Sequence, residues 1–139
     1  MMRTLLMITI LSISTTAILT HAHVAHAQEN PASVEIRELE VGTEIQDREL
    51  VGESERFSVS DGQVFAWMNA RNSGEPSEVT VIWSLDGRER SRYTAKIGQS
   101  PRWRTWSRIT LRDRSRGAWT VTVLDQSGET LATASFQVD

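Results

Sequence analysis

Val79, Val81, Trp83 and Leu85 place an apolar side chain at every second position. A period of two is the pattern of a strand with one buried face. The same period runs through Val64, Ala66 and Met68, which alternate with Phe65 and Trp67, and through Trp119, Val121 and Val123. Turn-forming clusters separate these runs: Ser60-Asp61-Gly62, Asn72 to Pro76, Asp86-Gly87, Gly98 to Pro101 and Gln126-Ser127-Gly128. Gly, Pro, Asn and Asp at such points supply the backbone angles that reverse a chain, and Asp-Gly between two alternating runs is a hairpin signal. The pattern predicts strands over 34–41, 64–71, 79–85, 88–97, 102–111, 118–125 and 131–138, with a short one over 56–59. Residues 42–52, around Asp47-Arg48-Glu49, read as irregular. No stretch carries the 3.6-residue period of an amphipathic helix.

About seven short strands and no helix define an all-β chain. The arrangement expected is an antiparallel two-sheet immunoglobulin-like sandwich, with a small closed barrel as its competitor. Trp83 and Trp119 lie on the apolar rows and are expected in the core. Each would bury about 150–250 Å², worth roughly 4–6 kcal/mol before entropy is counted.

Residues 1–27 break the alternation. Met1-Met2-Arg3 is a basic start, residues 5–19 are mostly apolar, and Ala25-His26-Ala27 is a small-x-small pattern. That order predicts a cleaved signal peptide. Its apolar run is shorter than the roughly 18–20 residues a membrane span needs. The mature chain, 28–139, is therefore expected to be a single β-sandwich domain, not membrane-spanning, either periplasmic or secreted.

Cleavage would remove all three histidines, His21, His23 and His26, and the chain has no cysteine. Residues 28–139 thus lack the usual base, the usual soft metal ligands and the most reactive nucleophile. The composition argues against an enzyme and implies no cofactor and no metal. It also means the fold holds without disulfides. Paired carboxylates such as Glu53/Glu55 read as solvated charge, and the Asp-Gly pairs as turns.

Charge is segregated along the chain. Residues 28–62 hold 10 acids and 3 bases, whereas residues 86–116 hold 3 acids and 10 bases. The net charge of −3 argues against non-specific nucleic-acid binding. Two consequences stay open: the acidic and basic stretches meet inside the fold, or a basic face is left for an anionic partner.

Side-chain parity locates that face. In 88–97, Arg88, Arg90, Arg92, Thr94 and Lys96 alternate with Ser91, Tyr93, Ala95 and Ile97. In 102–111, Arg102, Arg104, Trp106, Arg108 and Thr110 share one side, and Trp103, Ile109 and Leu111 the other. Trp103 is expected inside and Trp106 outside, among arginines. Such a ring either stabilises the sheet by guanidinium stacking or anchors a partner. The candidate binding face is Arg90, Arg92, Arg102, Arg104, Trp106 and Arg108. Its expected partner is an envelope protein or an anionic glycan. The alternative is an assembly module that oligomerises by pairing its acidic N-terminal and basic central segments.

Several short elements together resemble a known family. These are Ile45-Gln46-Asp47-Arg48-Glu49, Phe65-Ala66-Trp67, Val81-Ile82-Trp83 with Asp86-Gly87, Arg102 to Ser107, Gly117 to Val121 and Phe136-Gln137-Val138. Over 34–138 the chain resembles the bacterial domain of unknown function family 2914. The resemblance implies a small exported β module and carries no catalytic residues. Leu50 stands where the resemblance would place a proline.

Overall fold

Where the sequence alternates, the chain is extended. The computed structural model describes residues 33–139; the signal-peptide reading of 1–27 lies outside the described residues. The strands are β1 (Val34–Gly42), β2 (Glu44–Gln46), β3 (Glu49–Val51), β4 (Arg56–Phe57), β5 (Gln63–Asn72), β6 (Ser77–Leu85), β7 (Arg88–Ile97), β8 (Ser100–Thr110), β9 (Gly117–Leu124) and β10 (Thr130–Val138). Seven of them are long, and they are the seven long strands that alternation predicts.

They form two main sheets, one ordered β1-β5-β8 and the other β4-β10-β9-β6-β7. Every pairing is antiparallel except β4 with β10, which is parallel. The sheets have separate ladders, so the molecule is an immunoglobulin-like sandwich and not a closed barrel.

The inner faces supply the core. Val64, Ala66, Met68 and Ala70 of β5 oppose Val79, Val81, Trp83 and Leu85 of β6, and all are buried. Trp83 and Trp119 are 1% and 5% exposed, as their rows require. They meet edge to face at 6.5 Å, and Trp119 stacks on Phe136 at 6.0 Å. Each indole N–H has a partner: Trp83 Nε1 donates to Ser107 Oγ at 2.9 Å and Trp119 Nε1 to the Ser115 carbonyl at 2.7 Å. Large rings are thereby buried without an orphaned donor. Asn72 is also buried. Its Nδ2 donates to the carbonyls of Glu75 and Ile97, and its Oδ1 accepts from the Gly74 amide, which ties the 73–76 loop to β7.

Residues 42–52 are not irregular. β2 and β3 form a hairpin with Ile45 opposite Leu50. The turn was hidden because it lacks glycine. Asp47 and Arg48 both take left-handed angles, φ 50° and 66°, which costs a side-chain-bearing residue roughly 1 kcal/mol or more. Tertiary contact holds the turn: Trp67 Nε1 donates to the Arg48 carbonyl at 2.9 Å, and Arg48 Nη2 to the Arg104 carbonyl at 3.4 Å. The hairpin lies on the outer face of the three-stranded sheet and buries Trp67 to 3% exposure. Leu50 packs so closely on Gly42 that a Cβ there would stand 2.8 Å away.

A cationic cleft between two sheet edges

β7 and β8 follow each other in the chain but belong to different sheets. β7 ends the five-stranded sheet and β8 ends the three-stranded one. The chain crosses between them at Gly98-Gln99. Trp103 packs against this crossing, so that a Cβ on Gly98 would fall 2.6 Å from its ring. The result is one lateral side of the sandwich where two free edges lie next to each other.

Within β8 the alternation survives. The register with β5 runs unbroken from Gln63 opposite Thr110 to Ala70 opposite Trp103. Trp103, Ile109 and Leu111 pack on the core. Trp106 is opposite Trp67 and shares the outer face with it.

Within β7 the alternation fails at one point. Trp83 is opposite Ser91, but Ser84 is opposite Glu89, which leaves Arg90 as an extra residue. A bulge of this kind reverses the parity of everything beyond it. Arg88, Arg90 and Arg92 therefore do not form the single row that strict alternation implies. Glu89 comes to the face of Arg92 instead, and the two pair at 2.6 Å.

The six residues proposed from sequence consequently divide. Arg102 and Arg104 lie on the outer face of the three-stranded sheet, where both bind the Glu49 carboxylate of the hairpin, Arg102 at 2.9 Å. This is one point where the acidic N-terminal stretch meets the basic centre inside the fold. Arg92 pairs with Glu89. Arg90, Arg108 and Trp106 line the space between the edges, and Arg92, though paired, reaches its wall as well.

That space is a cleft with two adjoining lobes. One lobe, about 440 Å³, has Arg90, Arg108 and Arg114 in its wall, with Ser91, Thr110 and Trp119. The other, about 470 Å³, has Phe65, Tyr93 and Trp106, with Arg92 and Ser107. Ser91 and Arg108 belong to both, and among the described residues no carboxylate lines either lobe. Arg108 Nη1 donates to Gln63 Oε1 at 3.2 Å, and Arg90 Nη2 to the Arg114 carbonyl at 3.5 Å. Both partners are neutral. Among the described residues, Arg90, Arg108 and Arg114 have no carboxylate partner. Arrayed this way, the cleft offers charge-assisted donors for an anion beside aromatic surface for an apolar ring or chain.

Phe65, Tyr93 and Arg114 were missed in the sequence. Parity puts Tyr93 on the core side of its strand, yet the core does not extend to the free edge and the ring is 47% exposed. Phe65 was legible as the outward partner of an inward row, without a sign of its neighbours. Arg114 sits in the loop between β8 and β9, where no periodicity applies.

The opposite lateral side is acidic. A recess of about 400 Å³ near β1 and β10 is walled by Glu40, Glu53 and Glu55. Burial, and then the like charge of Glu53, pushes the Glu40 carboxyl above its ordinary value of 4.5. Among the described residues no group of three or more His, Cys, Asp or Glu is placed to hold a metal ion.

The fold and cleft describe a β-sandwich with a cationic edge. Residues 76–138 match a family model described as "Protein of unknown function (DUF2914)". The matched stretch contains β6 to β10 and every cleft residue named above except Phe65; the elements at 45–49 and 65–67 lie outside it. No curated protein matches the chain. Among solved structures the chain is similar to a β-glucosidase from Kluyveromyces marxianus in complex with glucose, with 12% identity, a TM-score of 0.44, and 76% of this chain aligned to 14% of that one. Likeness at that level carries no argument about activity. No helix of the described residues is long and apolar enough to cross a membrane.

Proposed function

We propose that the protein is a non-catalytic, exported binding module of the cell envelope that holds an anionic partner in the cleft between β7 and β8. One observation carries the reading. Arg90, Arg108 and Arg114 converge with no acidic residue in the walls among the described residues, in a chain whose net charge is −3. Guanidinium groups are more weakly hydrated than ammonium groups and present a planar fork of donors, which suits them to carboxylate, sulfate or phosphate groups. The exported reading is supported by the signal-like order of residues 1–27, and the non-catalytic reading by the absence of His and Cys in 28–139, which removes the commonest base and nucleophile.

Retention of the protein on a carboxylated matrix tests it. Retention is expected at low salt and should fall steeply as ionic strength rises. Replacing Arg90, Arg108 and Arg114 together by Ala should abolish it, while Arg37→Ala, a change near the far edge, should leave it intact. Equal retention of the triple variant would refute the reading.

Self-assembly is the second reading, and one observation favours it. The recess walled by Glu40, Glu53 and Glu55 is acidic, and on charge it complements the cleft of another copy. Sedimentation at low salt decides: a monomer at high micromolar concentration rules assembly out.

A further inference from the structure

We infer that the anion taken by this cleft is a carboxylated sugar polymer, a polyuronate. The inference rests on the binding reading above and names the ligand class of that same site. Its basis is the way the cleft separates its chemistry. Arginines dominate one lobe and aromatic rings the other, with Arg108 at the junction. A uronate ring presents the same two surfaces. Its axial C–H face is flat and apolar and lies well on an aromatic ring. Its carboxylate projects from the ring edge, where it accepts two parallel hydrogen bonds from a guanidinium fork. Ser91 and Thr110 add hydroxyls, which exchange hydrogen bonds with sugar hydroxyls in either direction.

Other anionic polymers fit less well. A peptide anchored by a hot-spot side chain needs an enclosed, desolvated pocket, whereas both lobes open to solvent. A peptide added as a strand needs a regular edge. β7 is bulged at Arg90 and carries Arg88, Glu89, Arg92 and Lys96, the facing edge of β8 carries Arg102, Arg104 and Arg108, and bulges and charges are the devices that deter strand addition. Polyphosphate would use the arginines and leave Trp106 and Tyr93 idle. Duplex nucleic acid bears one charge per about 1.7 Å of axis and would be repelled by the acidic remainder of the chain. A polyuronate is sparser, with one charge per sugar.

Titration calorimetry of the purified protein with polygalacturonate, dextran, polyphosphate and poly-L-glutamate tests this. Polygalacturonate should bind tightest and dextran not at all. Trp106→Ala should weaken polygalacturonate about tenfold while changing polyphosphate less than about twofold, since stacking of this kind is worth roughly one decade. Tyr93→Ala, at an exposed ring that the core does not need, should weaken it in the same sense and guards against misfolding of the Trp106 variant. Arg108→Ala should weaken every polyanion. If polyphosphate or polyglutamate binds as tightly and both aromatic variants are indifferent, the sugar assignment is overturned while the cationic cleft stands. If no polyanion binds at low salt, both readings fall.

Discussion

Trp67 and Trp106 are directly opposite each other on β5 and β8, on the same outer face, yet only Trp67 is fully buried. The difference is the β2–β3 hairpin, whose Arg48 carbonyl accepts the Trp67 indole N–H. Trp106 turns toward the cleft instead and lines it beside Phe65 and Tyr93.

This asymmetry predicts unequal costs for the same conservative change. Trp67→Phe removes a buried hydrogen bond and part of a buried ring, and should destabilise the protein by about 2–3 kcal/mol. Trp106→Phe should cost less than about 1 kcal/mol, because the ring is partly exposed and its face persists. Urea denaturation of the two variants, followed at matched concentration, gives the comparison. Equal costs would show that the hairpin does not protect Trp67.

Glu49 holds Arg102 and Arg104 away from any partner. Glu49→Gln should free both guanidiniums and raise retention on a carboxylated matrix, with a steeper salt dependence. The accompanying loss of stability should stay near 1 kcal/mol or below, since the Glu49 side chain is 46% exposed and exposed pairs contribute little. Unchanged retention would mean that these two arginines lie beyond reach of the ligand.

Glu40 offers a pH test. Its carboxyl is held above the ordinary 4.5 by burial first and by Glu53 second. The folded protein therefore binds this proton more readily than the unfolded chain, so stability falls as pH climbs through the interval that starts near 4.5 and ends at the raised folded value. Glu40→Gln removes that penalty. The variant should melt higher than the native protein at pH 7, and the advantage should vanish below pH 4.5. A gain that persists at pH 3.5 would point to packing and not to charge.

Gly98 marks the crossing from one sheet to the other. Gly98→Ala places a methyl group 2.6 Å from the Trp103 ring, which must move or bend the crossing. The expected cost is about 1–3 kcal/mol, the usual range for overpacking, with a red shift of Trp103 emission as it leaves the core. A neutral substitution would mean that the edges of β7 and β8 tolerate relative movement.

Much of the fold was legible because a strand buries alternate residues. The seven long strands, the core positions of Trp83 and Trp119, and the opposed directions of Trp103 and Trp106 all follow from a period of two, which is a local property of the chain. The hairpin at 44–51 was not legible. Its turn uses Asp47 and Arg48 at left-handed angles, and what makes those angles tenable is Trp67, about twenty residues away in sequence.

The sequence alone determined which residues face inward along each unbroken strand and how charge is distributed between the two halves. It also determined that residues 28–139 have no His or Cys. Tertiary structure decided where those rows end up. One extra residue at Arg90 reversed the parity of β7, and the crossing at Gly98-Gln99 sent β7 and β8 to different sheets. Glu49 neutralised two of the arginines from across the outer face. A cleft forms where residues distant in sequence converge, and convergence depends on pairing and register between strands, which no single strand's pattern contains.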